Sequence, residues 1–271
     1  MSILEIKNLS KSFGGRKVLG DISFSVPENC IFGFIGANGA GKTTTMKMVL
    51  GLLAADNGEI KVCGERVHFG ATKTNRLIGY LPDVPEFYNY MRPKEYLKLC
   101  GEIKGLNTAT IKERSKSLLT LVGLSEANRK IGGFSRGMKQ RLGMAQALLS
   151  EPKLLICDEP TSALDPMGRK DILDILHQIK GKTTVIFSTH ILSDVERICD
   201  RIAVISEGKI VLENDMSDLK VPHNSKTITF DFANEVDSDE VMQVLTERGF
   251  APTGYETPAT SIEDIYLEVA R

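Results

Sequence analysis

One glycine-rich stretch has the residue types and the spacing of a phosphate-binding loop. Residues 36–43 read Gly-Ala-Asn-Gly-Ala-Gly-Lys-Thr, with an apolar run at 30–35 before them and helix-forming residues at 44–50 after them. A buried strand, a glycine-rich turn and a helix start are the context that such a loop requires. The sequence therefore predicts a nucleotide site in which Lys42 reaches the β- and γ-phosphates and Thr43 ligates Mg²⁺. The residues expected to hold the nucleotide here are Gly36, Asn38, Gly39, Gly41, Lys42, Thr43 and Thr44.

Two carboxylates follow a second apolar run. The strand pattern at 154–157 ends in Asp158 and Glu159. A carboxylate at the end of a buried strand beside a phosphate loop can hold Mg²⁺, directly or through water, which we expect of Asp158. Glu159, one residue further on, points elsewhere and is the candidate base for an attacking water. Without the phosphate loop, the same pair would be ordinary acids at a strand end.

A second helix start has the composition of an anion site. Ser135 is a good N-cap, and Gly137 leaves a backbone N–H free in the first turn. Since the chain already has one phosphate site, this helix start is most simply explained if it serves the nucleotide held by another copy of the protein. The alternative is plain helix capping.

Two further side chains stand at strand ends. His190 follows a parallel strand at the carboxyl edge, where ligands bind in such sheets, so we expect it to hydrogen-bond to the γ-phosphate. Phe13 ends an early strand and either stacks on an adenine ring or packs into the sheet; the residue alone favours neither.

Composition excludes several classes of function. Lys plus Arg (34) nearly balance Asp plus Glu (35), so no extended nucleic-acid binding is expected. The five cysteines are far apart without a C-x-x-C pair, which predicts small core side chains in a reducing compartment. No apolar run approaches the ~20 residues of a membrane span, and the N-terminus lacks a signal pattern, which favours a cytoplasmic protein.

The elements that must position these residues follow from the apolar spacing. Alternation at 3–13 and 18–26 predicts an antiparallel hairpin, and a second strand pair is predicted at 58–62 and 66–69. Helical spacing covers 92–122, and strands alternate with helices from 154 to 212, which indicates a parallel sheet. After a linker at 221–225, we predict a strand at 227–232 and helices at 238–248 and 261–271.

The predicted fold class is therefore α/β. It consists of a P-loop NTPase core with a parallel sheet, an antiparallel β subdomain, an inserted helical subdomain at about 84–150 and a small C-terminal α+β extension. The predicted domains are a nucleotide-binding domain over 1–220 and an accessory extension over 221–271.

The order of these blocks over residues 3–212 resembles the ATP-binding cassette (ABC) ATPases. Residues 36–43 resemble the Walker A loop, 154–159 the Walker B strand, 134–138 the family signature, 162–165 the D-loop and His190 the switch histidine, while Phe13 falls where the family has its adenine-stacking aromatic. The serine-glycine signature ahead of the Asp-Glu strand is the most specific mark, because other phosphate-loop ATPases lack it.

The chain departs from the family pattern in two places. The signature commonly reads Leu-Ser-Gly-Gly-Gln, whereas residues 134–138 read Phe-Ser-Arg-Gly-Met and keep Ser135 and Gly137. Asp83 stands after Pro82, where the family usually carries Gln. An aspartate there can still ligate Mg²⁺ but cannot donate an amide hydrogen bond. Acidic residues at this position occur among ATPases that resemble bacterial multidrug and antibiotic exporters.

The resemblance implies the ATP-hydrolysing subunit of an ABC transporter of the exporter type. ATP and Mg²⁺ would be its cofactors, with Thr43, Asp83 and Asp158 as metal ligands and Lys42, Glu159 and His190 as catalytic residues. Two copies, or one copy and a second ATPase subunit, would sandwich the nucleotides, and an integral membrane permease would hold the chain at the inner face of the cell membrane. The alternative is a soluble ABC ATPase, such as an iron–sulfur assembly factor. A phosphate-loop kinase is a weaker reading, because it has no use for residues 134–138.

Overall fold

The computed structural model describes residues 2–70, 73–219 and 238–248. Its ten strands in those ranges are β1 (Ser2–Phe13), β2 (Arg16–Pro27), β3 (Ile31–Ile35), β4 (Asn57–Val62), β5 (Glu65–Arg66), β6 (Ile78–Leu81), β7 (Leu154–Asp158), β8 (Thr184–Thr189), β9 (Arg201–Ser206) and β10 (Lys209–Asp215). The α-helices described are α1 (Lys42–Val49), α2 (Pro93–Ile103), α3 (Thr108–Leu121), α4 (Arg136–Leu148), α5 (Pro166–Ile179), α6 (Leu192–Ile198), α7 (Met216–Leu219) and α8 (Ser238–Glu247).

The strands form two sheets. The first is antiparallel, with the order β2-β1-β4-β5. The second has the order β10-β9-β3-β8-β7-β6, in which β9 through β6 are parallel and β10 runs antiparallel at the edge. In this sheet the carboxyl ends of β3, β8 and β7 lie side by side, so the residues that follow them meet at one edge. The predicted α/β class, with a parallel sheet and an antiparallel subdomain, is confirmed.

Every residue of the central strand β3 is buried. Since successive side chains in a strand point to opposite faces, both faces of β3 are covered. Phe32 and Phe34 point toward the antiparallel sheet, where both stack on Phe24 of β2 at centroid distances of 5.8 and 5.2 Å. Ile31 and Ile35 point into a second hydrophobic core, which they share with side chains of helices α2 to α6. Burial of a Phe side chain contributes ~1.5–3 kcal/mol, so the aromatic cluster holds the two sheets firmly together.

The predicted helical stretch at 92–122 is two helices joined by a turn. Gly105, at φ +73°, ends α2 in a left-handed conformation, which a glycine adopts without strain. Gly101 lies inside α2, where a Cβ would stand 2.6 Å from Ile111 of α3, so it allows close helix packing and does not end the helix. Helix α4 packs on the sheet at Gly143, where a Cβ would stand 2.7 Å from Leu81 of β6.

One predicted strand is shorter in the structure. We expected a strand at 66–69, whereas β5 covers only Glu65–Arg66. The N–H of Val67 still bonds to the carbonyl of Ile60 at 2.9 Å, but the N–H of Gly70 bonds to the carbonyl of Gly51 at 2.8 Å. The chain is thus drawn off the sheet toward the end of α1.

The C-terminal predictions are described only in part. Helix α8 agrees with the helix expected at 238–248. The linker at 221–225, the strand at 227–232 and the helix at 261–271 lie outside the described residues. Among the helices in the described ranges, none has the length and apolar character needed to cross a bilayer.

Candidate nucleotide-binding and hydrolysis site

The glycine-rich loop joins β3 to α1 and has no room for side chains at two points. A Cβ at Gly36 would stand 2.5 Å from the carbonyl oxygen of Ile205, and one at Gly41 would stand 2.5 Å from Cδ2 of Leu19. Gly41 also has φ +112°, which L side chains rarely adopt. The loop can therefore approach its neighbours only with glycine at these positions. Asn38 and Gly39 lie exposed at its tip.

Helix α1 presents free donors at its start. It begins at Lys42, so the N–H groups of Lys42, Thr43 and Thr44 have no carbonyl partner within the helix. Together with the helix dipole they form an anion site next to the loop. Thr43 is exposed and Thr44 is half-buried.

The ammonium group of Lys42 is buried at the centre of the site. Its side chain is 5% exposed, and Nζ lies 2.6 Å from the carbonyl oxygen of Gly36 and 3.2 Å from that of Ala37. Its third neighbour is Oε1 of Glu159 at 3.0 Å. Three contacts match the three N–H donors of an ammonium group, so Lys42 is held across the loop.

Two hydroxyl groups hold the carboxylate of Asp158. Thr43 Oγ1 donates to Asp158 Oδ2 at 2.8 Å, and Ser188 Oγ donates to Asp158 Oδ1 at 2.8 Å. The pairing of Asp158 with Ser188 across β7 and β8 puts the serine in reach. Hydroxyl and carboxylate oxygens are ligands that Mg²⁺ accepts, and it keeps several waters, so the pair of Thr43 and Asp158 fits this metal.

Glu159 connects the lysine to the histidine. Its backbone is left-handed, with φ 48°, and its N–H donates to Ser188 Oγ at 3.0 Å. The side chain is 12% exposed, with Oε1 on Lys42 and Oε2 at 2.9 Å from Nδ1 of His190. The strand ends thus bring Lys42, Glu159 and His190 into one cluster. Ser188, for which the sequence predicted no role, hydrogen-bonds to the Asp158 carboxylate and to the Glu159 backbone. Its position directly before the Thr189–His190 strand end is the sequence signal that could have identified it.

The contacts of Asp83 and Phe13 are with residues outside the cluster of Lys42, Glu159 and His190. Asp83 Oδ1 accepts a hydrogen bond from Ser162 Oγ at 2.7 Å and lies 3.4 Å from Nη2 of Arg136. Phe13 is exposed, and Nζ of Lys11 lies 5.4 Å from its ring centroid.

The phenol of Tyr80, on β6, stays neutral at physiological pH. Burial is the larger cause and the negative charges of Asp158 and Asp83 are the smaller one, and together they raise the pKa of Tyr80 to about 12.

The second helix start lies in a groove of about 370 Å³. Ser135 caps α4 by accepting a hydrogen bond from the N–H of Met138 at 3.3 Å, and the space around Gly137 is open. In the part of the chain that the structure describes, no residue of the phosphate loop lines this groove. Its lining residues are Ser135, Arg136, Gly137, Met138, Arg141, Ala163, Leu164, Asp165, Met167, Gly168 and Asp171. The helix starts at Lys42 and at Ser135 therefore lie in separate parts of the chain.

The fold and the loop between β3 and α1 define a P-loop nucleotide-binding protein, and comparisons with known proteins give its family. The family model for ABC transporters matches residues 19–162. The chain is 37% identical to the uncharacterized ABC transporter ATP-binding protein YxlF of Bacillus subtilis, covering 98% of this chain and 99% of that protein. It is 37% identical to the bacitracin transport ATP-binding protein BcrA of Bacillus licheniformis, covering 100% of this chain and 87% of that protein.

Solved structures agree with the sequence relatives. An ATP-binding subunit of an ABC transporter matches with a TM-score of 0.76 and 29% identity, covering 100% of both chains. An ATP-binding cassette in its ADP conformation matches with a TM-score of 0.73 and 25% identity, covering 82% of this chain and 96% of that one. This chain belongs to the ATP-binding subunits of ABC transporters, and it binds and hydrolyses ATP. Subunits of this family work with a membrane permease.

Proposed function

We propose that two copies of this chain, or one copy and a second ATPase subunit, close on two ATP molecules and so drive an export permease. Each nucleotide would lie between residues 36–43 of one copy and the helix start at Ser135 and Gly137 of the other. The observation that carries the proposal is the presence of two helix starts in separate parts of one chain, only one of which has the lysine and the acids beside it. In this proposal the second helix start contacts the nucleotide of another copy.

In this arrangement the residues around Lys42 divide the chemistry. Lys42 would leave Glu159 and the loop carbonyls for the β- and γ-phosphates, and Phe13 would stack on the adenine. Freed from Lys42, the Glu159 carboxylate would take a proton from the attacking water. A base in this position typically contributes ~10²–10⁴ in rate. His190, next to Glu159, would hydrogen-bond to the γ-phosphate.

Mg²⁺ would be held by Thr43 and Asp158, with Asp83 as a third candidate ligand. When bound, the metal supplies positive charge that stabilises the transferring phosphoryl group. Ser188 keeps the Asp158 carboxylate oriented for this task through its 2.8 Å hydrogen bond.

Export is the direction of transport that we propose, and the names of relatives support it. The proteins named for bacitracin transport and lantibiotic transport, at 37% and 38% identity, support export of an antibiotic-like compound. The chain would sit at the cytoplasmic face of the membrane through its permease. Exposed side chains after β6, Val84, Tyr88 and Tyr90, together with the helical segment, support a docking surface there.

A pull-down of the tagged chain in mild detergent tests this function. We expect the wild-type chain to retain a polytopic membrane protein, and the Tyr90→Glu variant to lose it. Phe69→Glu is the matched control, because both aromatic side chains are 69% exposed but Phe69 follows β5 of the other sheet. Recovery of soluble partners only would contradict the transporter role and favour the assembly-factor alternative.

A further inference from the structure

One residue from each of the two segments that depart from the family pattern meets the other in space. Asp83 replaces the usual Gln, and Arg136 replaces the first Gly of the usual signature. They are 53 residues apart in the chain, yet Nη2 of Arg136 lies 3.4 Å from Oδ1 of Asp83. A Gln and a Gly could not form this ion pair, because one lacks charge and the other lacks a side chain. The departures therefore form one paired feature.

The ion pair joins three segments that carry the site. Asp83 follows β6, and Arg136 is the first residue of α4. Ser162, three residues after Glu159, donates its hydroxyl to the same Oδ1 at 2.7 Å and lies 2.9 Å from the carbonyl oxygen of Glu159. A hydroxyl has one proton, so Ser162 shares it between these two acceptors. The start of α4 is thus linked through Asp83 to the turn that holds Glu159.

Electrostatics indicate that the pair orients the helix. A cation at the first position of a helix opposes the helix dipole, and the carboxylate of Asp83 compensates for it. Both side chains are 47% exposed, and ion pairs with such exposure add little to the free energy of unfolding. A pair that contributes little to stability and yet fixes the charge at a ligand-binding helix start is suited to positioning.

We propose that the Asp83–Arg136 ion pair orients the start of α4, so that Ser135 and Gly137 meet the nucleotide of the second copy in register with the Glu159 turn. In this role both members are positioning residues, which is separate from the candidate metal-binding role of Asp83. This inference rests on the proposed function, because it needs a nucleotide shared between two copies.

A double-mutant cycle tests the pair, with the Glu159→Gln variant as the parent. The variants are Asp83→Asn, which keeps an acceptor for Ser162, Arg136→Met, which keeps the length of the side chain, and the two together. The measurements are ATP-dependent dimer affinity by sedimentation, and binding of a fluorescent ATP analogue to the monomer. We expect Arg136→Met to weaken the dimer about tenfold when Asp83 is present and less than about twofold in the Asp83→Asn chain, with monomer binding of the analogue unchanged by the arginine substitution.

Other outcomes overturn the inference. If Arg136 touches the nucleotide itself, its loss weakens the dimer equally in both backgrounds. If Asp83 acts only on the metal, Arg136→Met leaves dimer affinity unchanged even in the chain that keeps Asp83. The matched control is the ion pair of Arg197 and Asp174, with an Nη2–Oδ1 distance of 2.9 Å and the same 47% exposure of both side chains. Its variants Arg197→Met and Asp174→Asn should leave dimer affinity unchanged.

The parent variant separates this inference from the proposed function. If the Glu159→Gln chain with its ion pair intact fails to associate with ATP, the shared site itself is wrong. If that chain associates and Arg136→Met associates equally well, only the inference about the pair is wrong.

Discussion

Replacing Glu159 with Gln should slow hydrolysis and tighten ATP binding at the same time. In the structure the carboxylate holds Lys42 at 3.0 Å, and this is the lysine that we propose binds the phosphates. At 3 Å and an effective dielectric constant of 20, the gross attraction between the two charges is about 5.5 kcal/mol, most of which is offset by the desolvation of both groups. A net difference of ~1 kcal/mol corresponds to roughly fivefold in affinity.

The two effects have different causes and can be measured separately. Loss of the base predicts a fall in the turnover rate of ~10²–10⁴. Loss of the competing carboxylate predicts that ATP binds about fivefold more tightly, since Lys42 no longer has to leave a charged partner. Titration with a fluorescent ATP analogue gives the affinity, and phosphate release at saturating ATP gives the rate.

The matched control is Glu113→Gln on the exposed face of α3, which changes the same charge away from the site. The affinity for ATP and the turnover rate should both stay at their wild-type values in this variant. A Glu159→Gln chain that hydrolyses ATP at the wild-type rate would refute the role of Glu159 as the base. An unchanged or weaker affinity for ATP would refute the competition for Lys42.

Three further predictions concern the surrounding structure. Ser188→Ala removes the hydroxyl between Asp158 and the N–H of Glu159, and it should lower the free energy of unfolding by ~1–3 kcal/mol in urea titrations; an unchanged midpoint would argue against this bond. Gly41→Ala should reduce ATP affinity at least about tenfold, because its Cβ has no space, whereas Gly181→Ala, at φ +83° with open surroundings, should cost ~1–2 kcal/mol of stability and leave ATP binding intact. Thiol labelling of the native chain at pH 8 should modify Cys63 first, because it is the exposed cysteine, whereas Cys30, Cys157 and Cys199 are buried and burial also raises the pKa of each, that of Cys30 to about 11; rapid reaction of three thiols would contradict the packing.

Local chemistry made the centre of the site predictable. A glycine-rich turn between a strand and a helix has few alternatives, so the loop at 36–43 followed from residue types alone. The meeting of Asp158 and His190 near this loop followed from one rule, that parallel strands end at the same sheet edge. The comparisons with known proteins confirmed the ABC family that these sequence motifs indicate.

Features that depend on three-dimensional packing were not predictable. The early end of β5 depends on a hydrogen bond from Gly70 to Gly51, which no local pattern announces. Gly101 lies inside α2, and the need for a glycine there is set by Ile111 on the next helix. The contact between Asp83 and Arg136 joins the loop after β6 to the start of α4, and their distance depends on how α4 packs against β6.

The central claim, that two chains share two ATP molecules, is tested most directly by the mass of the Glu159→Gln chain in solution with Mg²⁺ and ATP. Sedimentation with a labelled nucleotide gives the mass and the stoichiometry together. We expect a particle of two chains with two bound ATP molecules, which returns to single chains when the nucleotide is removed. A single chain that binds ATP at saturation without associating would contradict the shared site.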